Sequence, residues 1–180
     1  MNLNYMLSTK EKIKILKYII YKTENLRVNI TAFELNLSKG LISKFFSILL
    51  KEKILKKTNN HLQVENNMGV KAIKILLNLN RLDIKLFKKY DFVKSAGIYG
   101  SFVNGKNTEK SDIDMWVILK KTNDKKIAKF TSELLKKYNN IKPLYLTEEK
   151  LRILKKEDIS FYYSLMFGSI TIYGEDIETI

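Results

Sequence analysis

The chain has 180 residues, 45% of them hydrophobic, enough to bury a core but, if divided, only two small domains. It carries 33 Lys and Arg against 19 Asp and Glu, a formal charge of +14; such a field attracts polyanions, although a chain rich in Lys, Ile and Asn throughout would show part of the same excess by composition alone. The absence of cysteine excludes disulfides and thiolate metal sites, a single histidine (His61) excludes a histidine-based metal centre or Ser-His-Asp triad, and no apolar run approaches the ~20 residues of a membrane span, so the expectation is a soluble cytoplasmic protein with no membrane partner.

In chain order, Lys10 to Ile20 has apolar residues at helical spacing after Ser8 and Thr9, either of which can cap the first turn. Asn29 to Leu35 reads as a short second helix, with Thr31 and Glu34 spaced as a capping box and Asn29 as a rival cap. A third helix opens at Ser38: its apolar positions 41, 42, 45, 46, 48 and 49 form one stripe and leave Lys39, Ser43, Lys44 and Ser47 pointing away. Ile54 to Val64 then reads as two short strands around Asn59-Asn60.

Three short helices followed by a hairpin resemble the winged helix-turn-helix, over roughly residues 8 to 65. That resemblance implies a third helix in the DNA major groove and a hairpin beside the backbone. Lys39, Ser43 and Lys44 would then face the groove, with Lys56, Lys57 and His61 on the wing. Winged helices also dock proteins, and lysines on a helix surface also serve as a solvated face, so a protein-docking adaptor stands beside DNA binding.

Asn66 to Gly69 is the polar boundary, which gives a first domain at 1–68, a connecting helix within 69–94 and a second domain at 95–180. Val70 to Tyr90 has the pattern of one long amphipathic helix. Then comes the stretch richest in chemistry. Gly97 to Gly105 reads as a strand running into a tight turn, and Ser111 to Leu119 as a second strand bearing two acids. Alternation puts Asp112 and Asp114 on one face, roughly 6 to 7 Å apart along the backbone, with Ile113 opposite; two carboxylates so placed can grip a hard divalent cation. Gly100 lets backbone approach a ligand closely, and the Ser101 hydroxyl and N–H can hold a phosphate oxygen. Lys106 and Lys110, in the loop between, are cations that can meet the outer phosphates or stay solvated. Tyr99 and Trp116 are possible stacking rings, with Trp116 in mid-strand better suited to the core, and Asn104 shapes the turn.

Gly100-Ser101, ten residues, then Asp112-Ile113-Asp114 at the head of an apolar strand resembles the signature of the nucleotidyltransferase superfamily, in particular its minimal branch. Gly105, Ser111 and the later Ser169-Ile170-Thr171-Ile172-Tyr173-Gly174 fit the same pattern, so the resemblance covers about Ser95 to Asp176. It implies a mixed sheet flanked by helices, Mg2+ (or Mn2+) held by aspartates, and transfer of a nucleoside monophosphate from a nucleoside triphosphate to a hydroxyl. Carried over residue by residue, it gives Asp112 and Asp114 the metal and catalytic roles and Gly100 and Ser101 the phosphate role. Branch members paired with a toxin subunit modify tyrosine on that partner, which makes AMP transfer to a protein the first expectation, with RNA or a small molecule as other acceptors.

The family usually adds a third carboxylate from a neighbouring strand, and the strand available here, Ile141 to Leu146, contains none. Glu148 and Glu149 follow, but Thr147-Glu148-Glu149 reads as the cap and first turn of a helix. Asp124 to Tyr138 and Leu151 to Leu165 are the remaining helices. The expected fold is α+β: an N-terminal winged helix-turn-helix and a C-terminal nucleotidyltransferase-type sheet. The missing acid keeps open a second function, a DNA-binding regulator whose nucleotidyltransferase domain senses a nucleotide without turning it over.

Overall fold

The computed structural model describes residues 2–59 and 61–179, which form two compact units: residues 2–59 and 61–77 with 107–110, and residues 78–106 with 111–179. Asn60, one of the two expected turn residues of the hairpin, lies outside the described residues.

In the first unit a short helix α1 (Leu3–Met6) precedes α2 (Lys10–Ile19), α3 (Val28–Leu35), α4 (Lys39–Lys51) and the hairpin β1 (Leu55–Thr58) and β2 (His61–Val64). The Thr9 hydroxyl caps α2 by accepting from the Lys12 N–H, and Ser38 caps α4 by accepting from Leu41. Helix α3 departs from expectation. It begins one residue earlier, with Arg27 at its N-cap and no side-chain capping bond; Thr31, assigned to a capping box by its spacing, is instead buried in the unit. The stripes of α2 (Ile15, Leu16, Ile19) and α4 (Ile42, Phe45, Phe46, Leu49) meet in one core with Met6, Ala32 and Leu35. Leu26 also pairs with Leu62, its N–H donating to the Leu62 carbonyl at 2.7 Å, so the segment before α3 lies along the hairpin, a contact no local pattern announces.

The expected helix over 70–90 is two: α5 (Met68–Asn80) and α6 (Lys85–Lys88). The break has a local cause. The Asp83 carboxylate accepts from the Lys85 N–H, and the Asp83 N–H donates to the Tyr138 hydroxyl, so side chains take up groups that a continuous helix would pair internally. The second unit continues with β3 (Val93–Ile98), a 3-10 turn at Gly100–Phe102, β4 (Ile113–Leu119), α7 (Asp124–Lys137), β5 (Ile141–Leu146), α8 (Glu148–Glu157), α9 (Ile159–Gly168) and β6 (Ile170–Tyr173). The helix expected over 151–165 is therefore also divided, because Asp158 ends α8 and caps α9 by accepting from the Phe161 N–H.

The strands form one mixed sheet in the order β5-β4-β3-β6, with β4 and β5 parallel and β3 antiparallel to both of its neighbours. Alternation along β4 divides two cores. Ile113, Met115 and Val117 pack with Phe87, Phe130 and Leu134 on one face; Trp116 and Ile118 pack with Leu151, Tyr162 and Leu165 on the other. Trp116 is fully buried, as its mid-strand place predicts, and its indole lies over its cross-strand partner Gly97, where a Cβ would come within 2.3 Å of Cζ2. The family-type α+β sheet flanked by helices is thus present.

Candidate functional site

The face of β4 that carries Trp116 and Ile118 also carries Asp114, two residues nearer the start of the strand. Unlike Trp116 and Ile118, which are fully buried, Asp112 and Asp114 are half-buried. The strand is shorter than its pattern indicates: it begins at Ile113, so it carries Asp114 while Asp112 lies just ahead of it.

The turn after β3 is shaped around them. The Tyr99 N–H donates to the Asp114 carbonyl at 3.1 Å, continuing the β3–β4 ladder by one bond. Gly100 then turns with φ +70°, the left-handed region in which a Cβ is strained. A Cβ there would also stand 2.8 Å from Asp114 Oδ2, so the glycine is what allows the carboxylate to lie against the turn backbone. The Lys106 N–H donates to the Ser101 carbonyl and to Asn104 Oδ1, both at 3.1 Å, closing the 100–106 loop; Asn104 shapes the turn as expected, and the Lys106 side chain is exposed. Ser101 sits half-exposed beside Gly100. Lys110 falls in the 107–110 segment, which groups with the first unit rather than with this turn.

Burial is the main influence on Asp114 and pushes its carboxyl above the usual aspartate range, with the Asp112 charge adding to the rise and Lys142 opposing it. The Tyr99 phenol is likewise raised, by burial first and then by the Asp114 charge. Lys142 is the residue the sequence did not single out. The parallel register sets it opposite Asp114, and its Nζ lies 2.5 Å from Asp112 Oδ2. The bond to Asp112 and the charges of both aspartates hold its ammonium above the ordinary lysine range.

So the strand beside the two aspartates contains no acid and presents an ammonium in register with Asp114. Glu148 does not take that place: it lies in the first turn of α8, behind the Thr147 cap, and pairs with Lys94 at 2.9 Å. Among the described residues no group of three or more His, Cys, Asp or Glu could hold a metal. Two carboxylates still fit Mg2+ chemically, because that ion is commonly held by one or two protein carboxylates together with substrate phosphates and water.

A cleft of about 440 Å³ opens beside the turn, lined by Tyr99, Gly100 and Asn104 from the turn and by Ser164, Phe167 and Ser169 from the end of α9. In the first unit, Lys39, Ser43 and Lys44 are exposed on α4, and Lys56, Lys57 and His61 are exposed on the hairpin. No helix among the described residues is long and apolar enough to cross a membrane.

Among known proteins, a solved structure of a candidate nucleotidyltransferase from Sulfolobus solfataricus is similar at 14% identity and a TM-score of 0.37, covering 63% of this chain and 92% of that one. No curated protein matches the chain. The family model described as polymerase beta, nucleotidyltransferase matches residues 83–178, more than half the chain and the whole span from β3 to β6. This chain belongs to the polymerase beta nucleotidyltransferase family.

Proposed function

We propose that the protein binds a nucleoside triphosphate with Mg2+ or Mn2+ and transfers its nucleoside monophosphate, AMP as the first expectation, to a hydroxyl on a protein or RNA. The observation that carries this reading is the approach of the Asp114 carboxylate to the Gly100 turn, which only a residue without a Cβ permits. It brings a metal-holding group and a phosphate-holding backbone to one spot.

In this reading Asp112 and Asp114 hold the metal, which when bound draws charge from the phosphates. The Gly100 and Ser101 N–H groups and the Ser101 hydroxyl hold phosphate oxygens, and the Lys106 ammonium offsets their charge. The acceptor oxygen bonds to the α-phosphorus as the bond from that phosphorus to the α–β bridging oxygen breaks. Pyrophosphate leaves, and the hydroxyl proton passes to water. A positioned general base is worth about 10²- to 10⁴-fold, so a site without a third carboxylate is a slow one. The first unit serves as a winged helix-turn-helix: the order of three helices and a hairpin, together with the Leu26–Leu62 pairing, supports it. Lys39, Ser43 and Lys44 face the DNA groove, with Lys56 and Lys57 beside the backbone.

The Lys142–Asp112 ion pair favours a second reading, a DNA-binding regulator that senses the nucleotide without turnover. One experiment separates them. Each α-32P-labelled nucleoside triphosphate is incubated with the protein, Mg2+ or Mn2+, and cell protein or RNA, with Asp112→Asn/Asp114→Asn as the control. Metal-dependent label that the control loses establishes the transferase and its acceptor class. Nucleotide binding without label, abolished in the control, establishes the sensor.

A further inference from the structure

We infer that the nucleotide's base is held by stacking on Phe167, and that the site therefore takes a purine nucleoside triphosphate. The inference rests on the nucleotide site proposed above and names what occupies its other end.

Helix α9 is amphipathic in an unusual sense. Tyr162 and Leu165 point into the core, yet the opposite face carries Tyr163 and Phe167, one helical turn apart, with relative exposures of 41% and 72%. Their rings stack on one another with centroids 5.7 Å apart and planes within 6°. Phe167 lines the same cleft as Gly100. A cleft of about 440 Å³ lies within the range of small-molecule sites, which runs from about 300 to 1,000 Å³.

The two sets of lining residues differ in chemistry. At Gly100 the cleft meets the turn backbone and, behind it, Asp114 Oδ2, a setting for phosphate and metal. At Phe167 it offers an open aromatic ring flanked by Ser164 and Ser169, a setting for a flat ring with polar edges. A nucleotide is a molecule with those two ends. A base laid on Phe167 would remove from water an aromatic side chain otherwise left in solvent. A ring face reads area rather than hydrogen-bonding pattern, so a purine binds better than a pyrimidine.

Binding of ATP, CTP and inorganic triphosphate, each with Mg2+, is measured by calorimetry on the wild type, Phe167→Ala, Phe167→Trp and the Asp112→Asn/Asp114→Asn control. Stacking on one ring predicts that the wild type prefers ATP to inorganic triphosphate by about tenfold or more and that Phe167→Ala removes most of that preference. Affinity for inorganic triphosphate stays the same in Phe167→Ala, and Phe167→Trp keeps the ATP affinity. Because Phe167 is exposed, its truncation leaves the core intact, which an unchanged melting temperature verifies. Equal affinity for ATP and inorganic triphosphate, equal affinity for ATP and CTP, or an ATP affinity indifferent to Phe167→Ala overturns the inference while the phosphate site stands. A wild type that binds none of the three overturns the nucleotide site and the stacking together.

Discussion

Gly100→Ala is the substitution that tests the site most directly, because one added methyl group has two separable consequences. Gly100 has φ +70°, where an L residue is strained by about 1–2 kcal/mol. In a unit of this size each kcal/mol lowers the melting temperature by about 4–8 °C, so the strain alone predicts a loss of roughly 4–16 °C. The new Cβ would also stand 2.8 Å from Asp114 Oδ2. Ordinary contact requires about 0.6 to 1.2 Å more, and the carboxylate is the end of a flexible side chain, so Asp114 is the partner that moves. Misplacement of a reacting or metal-holding group on the scale of 1 Å costs about 10²-fold, so label transfer should fall by about that factor below the melting temperature. Thermal denaturation reads the strain; Mg-ATP affinity and α-32P transfer, measured well below the transition, read the displacement. Full nucleotide affinity and transfer in a destabilised Gly100→Ala protein would refute the placement of Asp114 in the site, and an unchanged melting temperature would refute the strained turn.

Lys142→Asp supplies an acid at the position paired in register with Asp114 and removes the cation held by Asp112; Mn2+ affinity, followed by paramagnetic resonance, is expected to rise by tenfold or more, and an unchanged affinity would mean that the β5 position does not bear on metal binding. Asp114→Asn should stabilise the protein at neutral pH. The carboxyl of Asp114 titrates above its ordinary value in the folded state, so the folded protein binds the proton more readily than the unfolded chain, and the burden of the buried charge is fully present above the raised value and relieved as pH falls through it. The stability advantage of Asp114→Asn, measured by denaturant titration, should therefore shrink as pH drops below the raised value, and a gap that widens on acidification would contradict it. For the first unit, Lys39→Ala/Lys44→Ala should weaken binding to duplex DNA and lower the slope of log affinity against log salt by up to about 2, one for each phosphate that a lysine no longer neutralises. Fluorescence anisotropy at several salt concentrations reads both, and an unchanged slope would assign the two lysines to a solvated face.

Much of both units was legible because the signals are local. The Gly-Ser turn and the capping residues Ser38 and Thr147 each act within a few residues, and each lies where its pattern indicates. Where local signals failed, a tertiary partner had intervened. The hydrophobic period ran unbroken through 70–90, but the Tyr138 hydroxyl, 55 residues away, takes the Asp83 N–H and helps to divide the helix. The Leu26–Leu62 pairing and the burial of Thr31 are likewise set by packing rather than by period. Strand register is the sharpest case. That β5 lacks an acid could be read directly, but that Lys142 faces Asp114 depends on how two parallel strands align across an intervening helix. Phe167 escaped notice for the opposite reason: an apolar stretch such as Ile159 to Gly168 looks uniformly buried, and only the fold distinguishes its inward rings from its outward ones.

The choice between catalyst and sensor turns on what Lys142 does when a nucleotide arrives. An ammonium at 2.5 Å from Asp112 satisfies that carboxylate as a monovalent partner, but the lysine is largely exposed, at 68%, and such a surface pair contributes little net stability. A divalent ion brought in on a triphosphate carries twice the charge and adds phosphate oxygens to the coordination, so it can displace the lysine at small cost. Once displaced, the ammonium remains near the start of β5, in register with Asp114 and so beside the phosphates of the proposed nucleotide. There it can offset charge on the phosphates, which a sensor uses to strengthen binding and a transferase uses to ease pyrophosphate departure. What it cannot do while charged is accept the proton of an attacking hydroxyl. A transferase of this design therefore depends on an acceptor that gives up its proton readily, and the tyrosine phenol, with a pKa near 10, does so far more readily than a ribose or serine hydroxyl. On the transferase reading proposed above, a site with the Lys142 ammonium beside its aspartates is best matched to a phenol on a protein.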